Sequence, residues 1–155
     1  MTTRVAIRAV IGAVLLLLSA APPSSAVLAG IAHQNPRTFA DTPFQRPGVH
    51  GVPLPIPWDA LDHRDQRAKL RRWLEGARRA RARPLITFGH ASGDRRRVLP
   101  APERLAAELR RIRRAYPWVR EFATWNEANH CGEPTCHKPK LVARYHLALR
   151  KACPS

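Results

Sequence analysis

Apolar residues recur in two rhythms along this chain. Over residues 65–81, Leu70, Trp73, Leu74 and Ala77 fall at i, i+3, i+4 and i+7, the spacing that lines one face of an α-helix while the arginines take the other. A second helix is predicted to open at Pro102-Glu103, align Leu105, Leu109 and Ile112, and stop at Tyr116-Pro117. A third begins near Pro139, aligns Leu141, Tyr145, Ala148 and Ala152, and runs into Cys153-Pro154-Ser155. Between the helices lie short apolar runs of strand character at 27–31, 49–56, 84–88 and 119–125. Strand-like runs alternating with helices argue for βα units and a parallel sheet, hence an α/β fold. The second run is the least regular. Pro53, Pro55 and Pro57 each lack a backbone N–H, so a central strand there is expected to lose ladder hydrogen bonds.

The N-terminus follows a different pattern. Arg4 and Arg8 precede an apolar run from Ala9 to Leu18, and small residues and prolines follow, which is the order of a signal peptide. That run is short for a bilayer span. Residues 1–26 are read as the signal, with cleavage after Ala26, Ala20 or Ala21 as alternative sites, and an uncleaved anchor as the other reading. Residues 27–155, roughly 130 in number, then form one small exported domain, secreted or held in the cell envelope. No second apolar segment follows, so no membrane association is expected after cleavage.

Charge and cysteines narrow the partners. The chain carries 27 Lys and Arg against 11 Asp and Glu, a formal net charge of +16. Such a field attracts nucleic acid, anionic lipid or acidic wall polymers. The basic residues recur along the helices, as Arg71, Arg72, Arg78, Arg79 and again Arg110, Arg111, Arg113, Arg114, which is also the mark of a solvated helix face. Nucleic acid is the weakest of these partners, because no zinc finger or aromatic RNA-binding motif accompanies the charge. Three cysteines in an exported chain leave one unpaired: Cys131 and Cys136 close a short loop as a disulfide, and Cys153 stands apart. His130, Cys131, Cys136 and His137 also contain zinc-ligand types, but their spacing matches no common finger and the compartment favours the disulfide.

Each strand-like run ends in groups suited to a polar ligand: His33, Gln34 and Asn35; Trp58 and Asp59; His90; and Asn126, Glu127, Asn129 and His130. In a βα barrel the active site gathers at these strand ends, although polar residues there also serve as turn formers and caps. Trp125-Asn126-Glu127-Ala128-Asn129 is the sharpest signal. A glutamate beside a tryptophan and an amide suits a general acid, since partial burial raises its pKa and the amide bonds a sugar hydroxyl. The competing reading is a surface glutamate at the start of the next helix.

The frame Ile31-Ala32-His33-Gln34-Asn35, Pro57-Trp58-Asp59, Thr87-Phe88-Gly89-His90, Tyr116-Pro117-Trp118-Val119 and Trp125-Asn126-Glu127-Ala128-Asn129-His130 resembles glycoside hydrolases of clan A. More narrowly, it is similar to bacterial secreted proteins of the glycosyl hydrolase catalytic-core type. The resemblance covers nearly all of 27–155. It implies a partial (β/α)₈ TIM barrel of about the first four βα units, with Glu127 as acid/base and Asn126 contacting the sugar. Trp58, His90, Trp125, Asn129 and His130 are the remaining pocket candidates, with aromatic rings available for stacking on sugar faces. In that clan the nucleophile is a glutamate ending the seventh strand, beyond the units present here, and the whole barrel takes about 250 residues. The expectation is therefore an N-terminal half, retaining in style, weakly active or inactive alone. Retaining hydrolysis needs two carboxyl groups about 5–5.5 Å apart and inverting hydrolysis about 6.5–9.5 Å. Asp59, Asp94 and Glu133 are the other nearby carboxylates, none with a motif behind it. The expected partners are an extracellular or cell-wall carbohydrate and a complementary barrel half or a second copy, because half a barrel leaves sheet edges open. The two-carboxylate chemistry calls for no metal and no cofactor. The alternative is a non-catalytic cationic protein that binds carbohydrate or polyanion.

Overall fold

The computed structural model describes residues 29–40 and 49–153. The signal peptide expected at 1–26, with the cleavage expected after Ala26, lies outside the described residues, as do 41–48. One parallel sheet runs in the order β1-β2-β3-β4, with β1 at Ala29–Gly30, β2 at Val49–Pro57, β3 at Arg83–Gly89 and β4 at Glu121–Ala123. Helix α1 (Arg64–Arg79) joins β2 to β3, α2 (Pro102–Ala115) joins β3 to β4, and α3 (Pro139–Ala152) follows β4. The expected α/β class and parallel sheet are both present. Since β1 has only two residues, the body of the sheet is β2 to β4.

Strand β2 departs from expectation in an instructive way. It is the longest strand despite its prolines, pairing with β3 from Gly51↔Arg83 to Pro57↔Gly89. Trp58 N–H donates to Gly89 O at 3.2 Å, and successive backbone groups alternate in direction. The amides of Val52, Leu54 and Ile56 therefore point at β3, whereas Pro53, Pro55 and Pro57 turn toward β1. There β1 has already ended, its last ladder bond running from Ile31 N–H to Gly51 O at 3.0 Å. No ladder bond is lost, and an edge without N–H donors resists pairing with another strand. Where β1 and β2 do touch, only glycine fits: a Cβ on Gly30 would lie 2.7 Å from Gly51 O.

The same alternation builds the core. Val52, Leu54, Ile56, Ile86 and Phe88 are buried in one cluster with Leu70, Trp73, Leu74 and Ala77 of α1 and Leu105, Leu109 and Ile112 of α2. The predicted helix faces are thus the buried ones. Trp73 anchors the segment after β1, donating its Nε1–H to His33 O at 3.0 Å and receiving the Phe39 ring edge-on at 5.1 Å. Such an aromatic pair adds about 0.5–1.5 kcal/mol beyond area burial. Helix α1 ends where Arg81 takes φ 55°, with Arg81 N–H bonded to Arg78 O and Ala82 N–H to Ala77 O. These two bonds satisfy carbonyls of the last turn. In α3, Tyr145 is fully buried with its hydroxyl on Pro100 O at 2.8 Å, and burial pushes its pKa up to about 12, so it remains a donor. Among the described residues no helix is long and apolar enough to cross a membrane.

An ionic cluster ties α2 to the loop after β2. Arg104 reaches Asp62 at 2.6 Å and Glu108 at 2.7 Å, while Arg111 reaches Asp62 at 2.8 Å and Glu108 at 2.5 Å. Asp62 is solvent-exposed, but Glu108 is buried, with Oε2 unpartnered among the described residues. Burial raises the Glu108 pKa against the pull of Arg111, whereas the Arg111 hydrogen bond lowers that of Asp62. The two acids therefore have opposite linkage to folding. A raised carboxyl stabilises the fold below its unfolded pKa and loses that contribution as pH climbs through its folded value. A lowered one contributes above its unfolded pKa and loses it as pH falls through its folded value. Urea unfolding of Glu108→Gln across the acid range should show it gaining stability relative to the parent as pH rises through and just above the ordinary glutamate pKa. Asp62→Asn should lose stability relative to the parent as pH rises through the ordinary aspartate pKa. Parallel profiles for the two variants would contradict this assignment.

Candidate functional site

A cleft of about 350 Å³ opens at the C-terminal end of the sheet and along the proline edge of β2. Its polar lining comes from the segments after β1, β3 and β4: Gln34, His90, and Asn126 with Glu133. Pro57 closes the β2 end, and Gln66 and Lys69 of α1 form the far wall. Asn126 is held there because its N–H donates to Phe88 O at 2.6 Å, three residues past the end of β4. His90 is half-buried, with Nδ1 beside Ala91 O at 3.1 Å and Nε2 beside Arg96 at 3.0 Å.

The expected site residues divide. Asn126 and His90 meet in the cleft. Glu127 follows Asn126 but is exposed and does not line it, and the left-handed φ of 46° carries its side chain from the apolar strand to the surface. The partial burial expected of a general acid is not supplied by these residues. Trp58 and Trp125 are core residues. Trp58 is 5% exposed, donates Nε1–H to Val98 O at 3.0 Å and lies under Arg104, whose guanidinium is 6.0 Å from the ring centre. Trp125 is 7% exposed, stacks on Tyr145 at 5.5 Å and donates to Glu133 Oε2 at 3.0 Å. Neither ring offers a free face for a sugar in this arrangement. Asn129 and His130 are exposed, and His130 Nδ1 accepts the Gly132 N–H at 3.1 Å.

Two carboxylates are already occupied. Asp59 is buried, its Oδ1 accepting the Ser92 N–H at 2.8 Å and its Oδ2 lying 3.2 Å from His63 Nε2. Glu133 reaches the cleft while one of its oxygens holds Trp125. Its place in the wall was missed in the sequence, because five residues of loop separate it from Glu127 and carry no periodicity. Of the first strand-end group, Gln34 lines the cleft. Asn35 forms a turn, its Oδ1 accepting the Arg37 N–H at 3.0 Å.

No family model matches the sequence, and no curated protein or solved structure matches it. The disulfide expectation corresponds to the fold, with Cys131 bonded to Cys136 and Cys153 free. Thiol titration of the denatured, unreduced chain should therefore find one thiol, from Cys153, and three after reduction. Three thiols before reduction would show that the loop is open.

Proposed function

We propose that this chain is a glycoside hydrolase-like protein acting on extracellular or cell-wall carbohydrate, built as the first four βα units of a (β/α)₈ barrel. The observation that carries the reading is the convergence of Gln34, His90 and Asn126, which follow β1, β3 and β4, on one cleft at the C-terminal end of the sheet, where barrel enzymes assemble their sites. Amide and imidazole groups suit hydroxyl-rich ligands, since each donates and accepts. In this reading Asn126 and His90 bind the sugar and Glu127 supplies the proton to the leaving oxygen. Glu127 becomes a competent acid only when a further surface covers it, because desolvation is what keeps a carboxyl protonated near neutrality. A complementary barrel half, or a second copy, provides such a surface along the β4 edge. Glu133 is the carboxylate among the cleft's described lining residues and holds Trp125 with one oxygen, while Asp59, outside the lining, is engaged by Ser92 and His63.

The purified chain is accordingly expected to bind oligosaccharide with little or no turnover. On a panel of aryl glycosides and wall polysaccharides, Asn126→Ala should weaken binding about tenfold, the loss of one hydrogen bond of about 1–1.5 kcal/mol. Failure to retain any carbohydrate would reject the reading. Turnover abolished by Glu127→Gln would reject the expected inactivity and point to Asp59, Asp94, Glu133 or a second protomer as the missing carboxylate.

A second reading, a non-catalytic cationic binder of acidic polymer, rests on the groove between α2 and α3. There Arg110, Arg144 and Lys151 surround Ala106, Leu147 and Ala148, with Glu103 the one acid among the described lining residues. Salt separates the two. Polyanion binding should fall steeply with rising salt through counterion release, whereas neutral-sugar binding should stay nearly constant.

A further inference from the structure

The loop between β4 and α3 brings three soft ligand atoms together. Cys131 Sγ, Cys136 Sγ and a ring nitrogen of His137 all lie within 4.8 Å of one another, the Cys131–His137 separation being 3.6 Å to Nε2. Tetrahedral zinc with bonds of about 2.3 Å to sulfur and 2.0–2.1 Å to nitrogen sets its sulfur and nitrogen ligands about 3.6 Å apart. His137 takes a left-handed φ of 61° and its ring lies against Cys131, while Arg97, Lys138 and Glu133 line the adjoining hollow. His130 does not bring a ring nitrogen into the set.

We infer that Cys131, Cys136 and His137 form a redox-gated zinc site, closed as a disulfide when oxidised and open to one divalent zinc ion when reduced. The disulfide withholds both sulfurs, so binding requires its reduction, by an external thiol or, in vitro, by a phosphine. Two thiols of the reductant give two electrons and two protons to the Cys131–Cys136 bond, leaving two cysteine thiols and one external disulfide. Zinc then displaces the two thiol protons and takes neutral His137 as its third ligand, with water in the fourth position. Affinity falls as pH drops, because protons compete for both thiolates and the imidazole. Either link joins Cys131 to Cys136, so the loop beside Asn126 and Glu133 stays clamped in both redox states.

The test uses the whole chain, reduced with a phosphine and then freed of it, titrated with Zn²⁺ against a chromophoric chelator and with Co²⁺ for its thiolate charge-transfer band. One equivalent per chain is expected. His137→Ala retains the disulfide for folding and, once reduced, should bind at least tenfold more weakly, while Cys136→Ser should abolish the charge-transfer band. Cys153→Ser should bind like the parent. The inference is overturned by absence of binding in the reduced chain, by equal binding in the oxidised chain, by indifference to His137→Ala, or by loss on Cys153→Ser.

Discussion

The register between β2 and β3 is the constraint on which the rest of the molecule depends. With Gly51↔Arg83 through Pro57↔Gly89 fixed, Leu54 and Ile56 fall beside Ile86 and Phe88 on the face that α1 and α2 cover. A slip of one residue would turn that apolar set to the opposite face. It would also aim the prolines at β3, where each would forfeit a ladder bond of about 0.5–1.5 kcal/mol. Two independent penalties therefore select the same pairing. The cleft inherits its position from this choice, since the register brings the ends of β2 and β3 level and sets His90 beside Pro57.

Much of this fold was legible in the sequence. The helices were, because Leu70, Trp73, Leu74 and Ala77, or Leu105, Leu109 and Ile112, repeat a period only a helix satisfies. Strand β2 was harder to read, since the prolines alone do not reveal which neighbour each missing N–H would face. That depends on where β1 stops, and β1 stops early because the chain leaves the sheet at Ile31 and Trp73 draws the His33 carbonyl toward α1. Leu149 was overlooked for a similar reason: it is buried beside Tyr145 at the edge of the α3 stripe, where tertiary neighbours decide.

The strand ends show the limit of local reading at the site. A tryptophan there suits a sugar platform and a core plug equally well in sequence. Trp58 becomes core because its indole N–H finds Val98 O forty residues away, and Trp125 because Tyr145 and Glu133 close over it. Such long-range partners leave no short-range trace. Asn126 and His90, by contrast, stay at the cleft because their polar ends have no apolar surface to satisfy.

Backbone conformation explains why the loop after β4 needs its clamps. Glu127 and His137 both take left-handed φ values without being glycine, each at a cost of roughly 1–2 kcal/mol. A free loop would relax both. The Cys131–Cys136 bond, the Trp125–Glu133 hydrogen bond and the Lys138 ammonium on Pro134 O at 2.7 Å hold the segment from three sides. The conformation that exposes Glu127 is thus imposed from the same loop that forms the Glu133 wall of the cleft. Any surface that later covers Glu127 meets a backbone already set at a fixed angle, so the entropy of ordering that segment is lost during folding rather than at the moment of association.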